Sequence, residues 1–74
     1  MMANQQLKSE VTGSVWQIAA QEGQRLEPGD TVMILESMKM EIPVLCEDGG
    51  TVVEILVEPG EAVSEGQPLV VVSL

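Results

Sequence analysis

Two stretches of this 74-residue chain lie over one another without a gap. Placing Gly13 over Gly50, a spacing of 37 residues, sets Gly13-Ser14-Val15-Trp16-Gln17-Ile18 over Gly50-Thr51-Val52-Val53-Glu54-Ile55. The same spacing brings Gly23 over Gly60, Leu26 over Val63, Gly29 over Gly66, and Val32-Met33-Ile34-Leu35 over Leu69-Val70-Val71-Val72. Glycine marks points where the backbone takes a positive φ or another segment comes close, so matched glycines mean matched turns. Two copies are too few for a solenoid. They predict an all-β, quasi-symmetric small barrel or sandwich, with about four short strands from each half.

The local pattern agrees. Apolar positions follow a period of two or form short runs rich in Val, Ile and Leu, and Gly or Pro interrupts every window of helical length. Strands are expected over Leu7–Val11, Ser14–Ala20, Gln24–Leu26, Thr31–Leu35 and Ile42–Cys46, while the polar residues 1–6 read as loose. Glu27-Pro28-Gly29-Asp30 has the fixed φ followed by glycine that a type II turn requires. Pro43 places its strand at a sheet edge or a bulge. The expected plan is one domain, residues 1–74, with halves over about 11–36 and 48–74. A hairpin over 36–43 joins them, as the one part not needed to close the symmetric body. Trp16 alternates with Ile18 and Ala20 and is expected in the core, and Cys46 is expected to be a small buried hydrophobe.

Charge narrows the function classes. Twelve carboxylates stand against Lys8, Arg25 and Lys39, for a net charge of −9. Binding nucleic acid or an anionic membrane surface needs clustered cations, which this chain lacks. A chain with no histidine and one cysteine offers no disulfide, no cluster of nitrogen and sulfur ligands for a metal, and no recognisable nucleophile–base pair. A non-catalytic protein is therefore expected. No apolar run is long enough to span a bilayer, and the first residues lack the pattern of a signal peptide, so the expected location is the cytoplasm.

The hairpin breaks a local rule. Its tip is Met38-Lys39 or Lys39-Met40, where tight turns favour a glycine-containing pair. Rules broken without structural gain mark functional sites. A surface lysine with Glu36 and Glu41 as weak ion partners is the ordinary reading, and such exposed pairs contribute about 0–1 kcal/mol. Against it stand the absent turn residues and the two long thioethers on either side of the amine. An exposed amine among carboxylates does not suit base or Schiff-base chemistry, which needs burial or cationic neighbours. It suits an attachment point.

Glu36-Ser37-Met38-Lys39-Met40-Glu41, set between repeated glycine-turn halves, resembles the attachment site of the biotinyl/lipoyl carrier domains. In the biotinyl branch the motif is Ala-Met-Lys-Met or Ser-Met-Lys-Met. The lipoyl branch usually has Asp before the lysine and a small residue after it. The methionines here match the biotinyl branch, and the resemblance runs from about Val11 to Leu74. It implies a flattened β-barrel of two four-stranded antiparallel sheets with the lysine exposed at one end. It also implies a biotin carboxyl carrier. A biotin protein ligase joins biotin to Lys39 by an amide bond, and the arm then moves a carboxyl group from a biotin carboxylase to a carboxyltransferase. Met38 and Met40 are expected to help those enzymes accept the lysine, and Glu36 to help the ligase recognise it; Glu41 reads as the solvated end of a strand.

Glu10-Val11-Thr12-Gly13 stands where many carriers have a Pro-Met-Pro-Gly-like entry, which leaves the path of the first strand open. Gln21-Glu22-Gly23 leaves no room for the protruding thumb of some carriers. A long Pro/Ala-rich linker is also missing, so the chain reads as a free-standing carrier or a domain of a larger carboxylase. Two alternatives stay open. One is a lipoyl carrier for a 2-oxo acid dehydrogenase or glycine-cleavage type system, with lipoate on Lys39. The other is an unmodified β-module acting through protein contacts alone.

Overall fold

Each half of the repeat folds into four strands in the computed structural model, which describes residues 4–74. The first half gives β1 (Asn4–Lys8), β2 (Gly13–Ile18), β3 (Arg25–Leu26) and β4 (Asp30–Ser37); the second gives β5 (Met40–Cys46), β6 (Gly50–Ile55), β7 (Ala62–Val63) and β8 (Pro68–Ser73). The two four-stranded antiparallel sheets run β1-β8-β6-β3 and β5-β4-β2-β7. Each sheet takes two strands from each half, so neither half can bury its apolar face alone.

The 37-residue spacing holds at the level of single hydrogen bonds. Gly23 N–H donates to Val52 O at 2.8 Å, and its mate Gly60 N–H donates to Val15 O at 2.7 Å. Ala19 N–H reaches Val32 O at 2.9 Å as Leu56 N–H reaches Leu69 O at 2.9 Å. The core is built from mated pairs: Val15 and Val52, Ala20 and Val57, Leu26 and Val63, Val32 and Leu69, Met33 and Val70, Leu35 and Val72. Cys46 completes it, fully buried, its thiol donating to Gly49 O at 3.3 Å. Burial pushes that thiol's pKa up, in keeping with a small hydrophobe. The mate position holds Ser9, also buried, whose hydroxyl donates to Val11 O at 2.6 Å.

Several sequence expectations are met. Pro43 lies in β5, an edge strand, where its missing N–H leaves no ladder bond unmade. Gly29 takes φ +90 in the turn where Asp30 N–H donates to Glu27 O at 3.0 Å.

Others are corrected. The first strand is Asn4–Lys8 rather than Leu7–Val11, so Asn4-Gln5-Gln6 is paired and not loose; residues 1–3 lie outside the described part. Its polar residues hid it, because β1 is an edge strand held by backbone pairing to β8, with Gln5 and Leu7 more covered than their neighbours. β1 is the mate of β5: Leu7 pairs with Val70 as Val44 pairs with Met33. The hairpin arms therefore belong to the symmetric body, and only the tip is extra.

Trp16 is also corrected. It is 49% exposed, because β2 and β4 slip register between Val15/Leu35 and Gln17/Ile34. The extra residue of that β-bulge is Trp16, which breaks the alternation and leaves the inward place to Val15. Val53 occupies the mated bulge of β6 and is exposed in the same way.

Candidate functional site

β4 and β5 stay paired up to Ser37 opposite Met40, leaving Met38-Lys39 as a two-residue loop. Met38 has φ 53 and Lys39 φ 64, positive φ at both central positions, as a type I′ turn requires. They are the only non-glycine residues with positive φ among those described. For an L-residue that conformation costs about 1–2 kcal/mol. Packing does not offset it at Met38, which is 91% exposed. Backbone strain that packing does not explain marks a functional position. The turn presents the Lys39 amine at the apex of the hairpin, between Met38 and Met40, the latter 63% exposed.

The base of the hairpin is fixed to the body. Ser37 Oγ donates to Thr12 O at 2.9 Å, and Thr12 Oγ1 accepts from Glu65 N–H at 3.2 Å. Next to Thr12, a Cβ on Gly13 would run into the Glu36 carbonyl oxygen and lie 3.2 Å from Ser37 Cβ. Glycine here lets β2 approach the base of the hairpin closely. Sequence reasoning missed Ser37, Thr12 and Gly13 as supports of the site. A signal existed for Gly13, whose mate Gly50 approaches the carbonyl of Ser73, the mate of Glu36; a Cβ there would lie 2.5 Å from that oxygen. No sequence signal marks the Ser37–Thr12 bond, which joins the end of β4 to the loop before β2.

Glu36 and Glu41 sit opposite one another in the ladder, both exposed, one rung below Ser37 and Met40. Like charges placed directly across a strand pair are destabilising, so the pair is not there for the hairpin's own stability. Thus Glu36, Met38, Lys39, Met40 and Glu41 all gather at one end of one hairpin. Cys46 lies at the far end of β5, in the core, and takes no part. The site lies open at the hairpin tip, with Met38, Lys39 and Met40 all exposed. It offers a primary amine on an exposed two-residue loop at the end of a hairpin, where another protein can reach it.

The strained tip carries a stability prediction. Met38→Asn places at a left-handed position a residue that tolerates it, and is expected to stabilise the domain by up to about 1 kcal/mol. Thermal unfolding measures this.

The family model described as "Biotin-requiring enzyme" (Biotin_lipoyl) matches residues 1–72. The "Biotin/lipoyl attachment protein" of Bacillus subtilis (strain 168) is 39% identical over 64 residues, covering 86% of this chain and 88% of that relative. A "Biotinylated protein TB7.3 homolog" of Mycobacterium leprae (strain TN) is 37% identical over 67 residues, 90% of this chain and 94% of its own length. Among solved structures, Kluyveromyces lactis urea carboxylase superposes with a TM-score of 0.89 at 37% identity over 95% of this chain. A single-chain, multi-domain long-chain acyl-CoA carboxylase superposes at 0.87 and 34% identity over 92%. The chain spans 6% and 7% of those two polypeptides.

Proposed function

Because the chain belongs to the biotin-requiring enzyme (Biotin_lipoyl) family, we propose that it is a biotin carboxyl carrier, with biotin joined to Lys39 by an amide bond. The observation that carries this reading is the strained, exposed Met38-Lys39 turn between two exposed methionines. In the ligase's cleft, the deprotonated Lys39 Nζ attacks the acyl carbon of adenylate-activated biotin. The new C–N amide bond forms as the C–O bond to AMP breaks, and the amine proton leaves to the ligase's site. Met38 and Met40 adapt to the walls of the cleft through their flexible thioethers. Glu36, and Glu41 opposite it, mark this lysine for the ligase.

Biotin so attached supplies a ureido nitrogen that carries a carboxyl group from a biotin carboxylase to a carboxyltransferase. The barrel contributes no catalytic side chain. Tethering raises the local concentration of the group at each active site to about the millimolar range. The names of the two carboxylases it resembles support partners of this type, and the acceptor is chosen by the carboxyltransferase. The cytoplasm, where ATP, bicarbonate and such enzymes meet, is the proposed location.

Biotin is favoured over lipoate by the methionines on both sides of Lys39 and by the biotinylated relatives. The test is transfer of label. Biotinylated chain incubated with a biotin carboxylase, ATP and labelled bicarbonate should acquire acid-labile label stoichiometric with its biotin. Biotinylated chain that takes no label from a carboxylase active on free biotin contradicts the proposal.

A further inference from the structure

The two halves meet the same packing demands, so outward positions at which they differ are set by something other than the fold. Below the hairpin tip, the sheet of β5, β4 and β2 carries two cross-strand rows. Register aligns Glu41, Glu36 and Ser14 in the first, and Pro43, Ile34 and Gln17 in the second, with bulged Trp16 beside Gln17. The mated rows on the other sheet hold Asn4, Ser73 and Thr51, then Gln6, Val71 and Glu54, with Val53 in the bulge. Between the exposed mates an isopropyl group has become an indole, a carboxamide has become a proline, and Asn4 has become a carboxylate, while Glu36 is exposed where its mate Ser73 is buried. The half-exposed Trp16 is the chain's single aromatic residue.

Resting on the carrier reading, we propose that this face is the docking surface for the enzyme that acylates Lys39. An apolar pocket on that enzyme receives Trp16 and Pro43, and basic side chains face Glu36 and Glu41. Three observations select this occupant. The face runs directly into the tip, so a partner whose active site encloses Lys39 covers the rows beneath it. The paired glutamates repel one another in the free chain, and opposing cations remove that cost. Before modification Lys39 is chemically the same as Lys8, which is also exposed, so an acylating enzyme has to read protein surface. Enzymes acting afterwards have the attached group itself to hold. An indole in a desolvated pocket is a frequent anchor of protein interfaces.

The test uses the mates as donors of substitutions. Trp16→Val installs the residue that the equivalent bulge already tolerates, so the barrel should fold, and Pro43→Gln does the same on the edge strand. With a purified biotin protein ligase that modifies the wild-type chain, Trp16→Val should raise KM about tenfold or more while leaving kcat within about twofold. Val53→Ala, on the opposite sheet, should leave both unchanged. The wild-type KM should rise with added salt, and a Glu36→Gln variant should lose most of that dependence. Equal KM for wild type and Trp16→Val overturns the docking face and leaves the carrier reading intact. A wild-type chain that no ligase modifies overturns the carrier reading itself. Concentration-dependent dimerisation abolished by Trp16→Val reassigns the face to a second copy of this chain and also overturns the proposal.

Discussion

Lys39→Arg is expected to leave the barrel folded and to abolish biotin incorporation. The side chain is exposed at the apex of a hairpin, and arginine keeps its length and charge. Unfolding should shift by no more than about 4 °C, the scale of an exposed substitution in a domain this small. The guanidinium remains protonated and gives no free amine to attack an acyl adenylate. Lys8 cannot substitute. It lies in the ladder of β1, where it pairs with Pro68, and not on a protruding turn. Intact mass after incubation with ligase, biotin and ATP should show a single unmodified species. Residual biotin on the variant would place the acceptor elsewhere.

The second large effect concerns the body that holds the tip. Leu35 is buried beside Val15 and Ile42 in the rung below Glu36, and its mate Val72 is equally buried. Leu35→Ala removes atoms from a thin two-sheet core that has little freedom to collapse. The expected cost is about 2–5 kcal/mol. A chain of this length is expected to have a total stability of about 4–11 kcal/mol, so the variant keeps only a fraction of it. The unfolding midpoint should fall by about 10 °C or more, measured by circular dichroism on heating. β4 is both core strand and first arm of the hairpin, so the loss also frees the lysine from its presented geometry. A fall under about 5 °C would mean that Leu35 is not the packing element described.

The contrast between these residues explains what could be read from the chain alone. Paired glycines and paired apolar runs at one spacing are enough to place the turns and the central strands, because those features answer to packing that both halves share. Lys39 stood out for the opposite reason: a tight turn without turn residues has no packing explanation. The bulge at Trp16 left no such trace. An inserted residue in one strand is defined by the partner's register, and the sequence of β2 alone looks like ordinary alternation. β1 was misplaced because an edge strand of Asn, Gln and Lys is held by backbone bonds to β8, and side-chain hydrophobicity does not report them. The arms of the hairpin look like an addition in the sequence for the same reason, since the mate of β5 is this polar edge strand. Ser37 and Thr12 meet only in three dimensions, and their bond anchors the base of the hairpin.

The most direct measurement is the intact mass of the protein purified from its own host, with peptide mapping across Lys39. The predicted result is an increase equal to one biotin less one water, located on Lys39 and absent from the Lys39→Arg variant. An unmodified Lys39 in cells with an active biotin ligase, or an increment matching lipoate, would contradict the assignment.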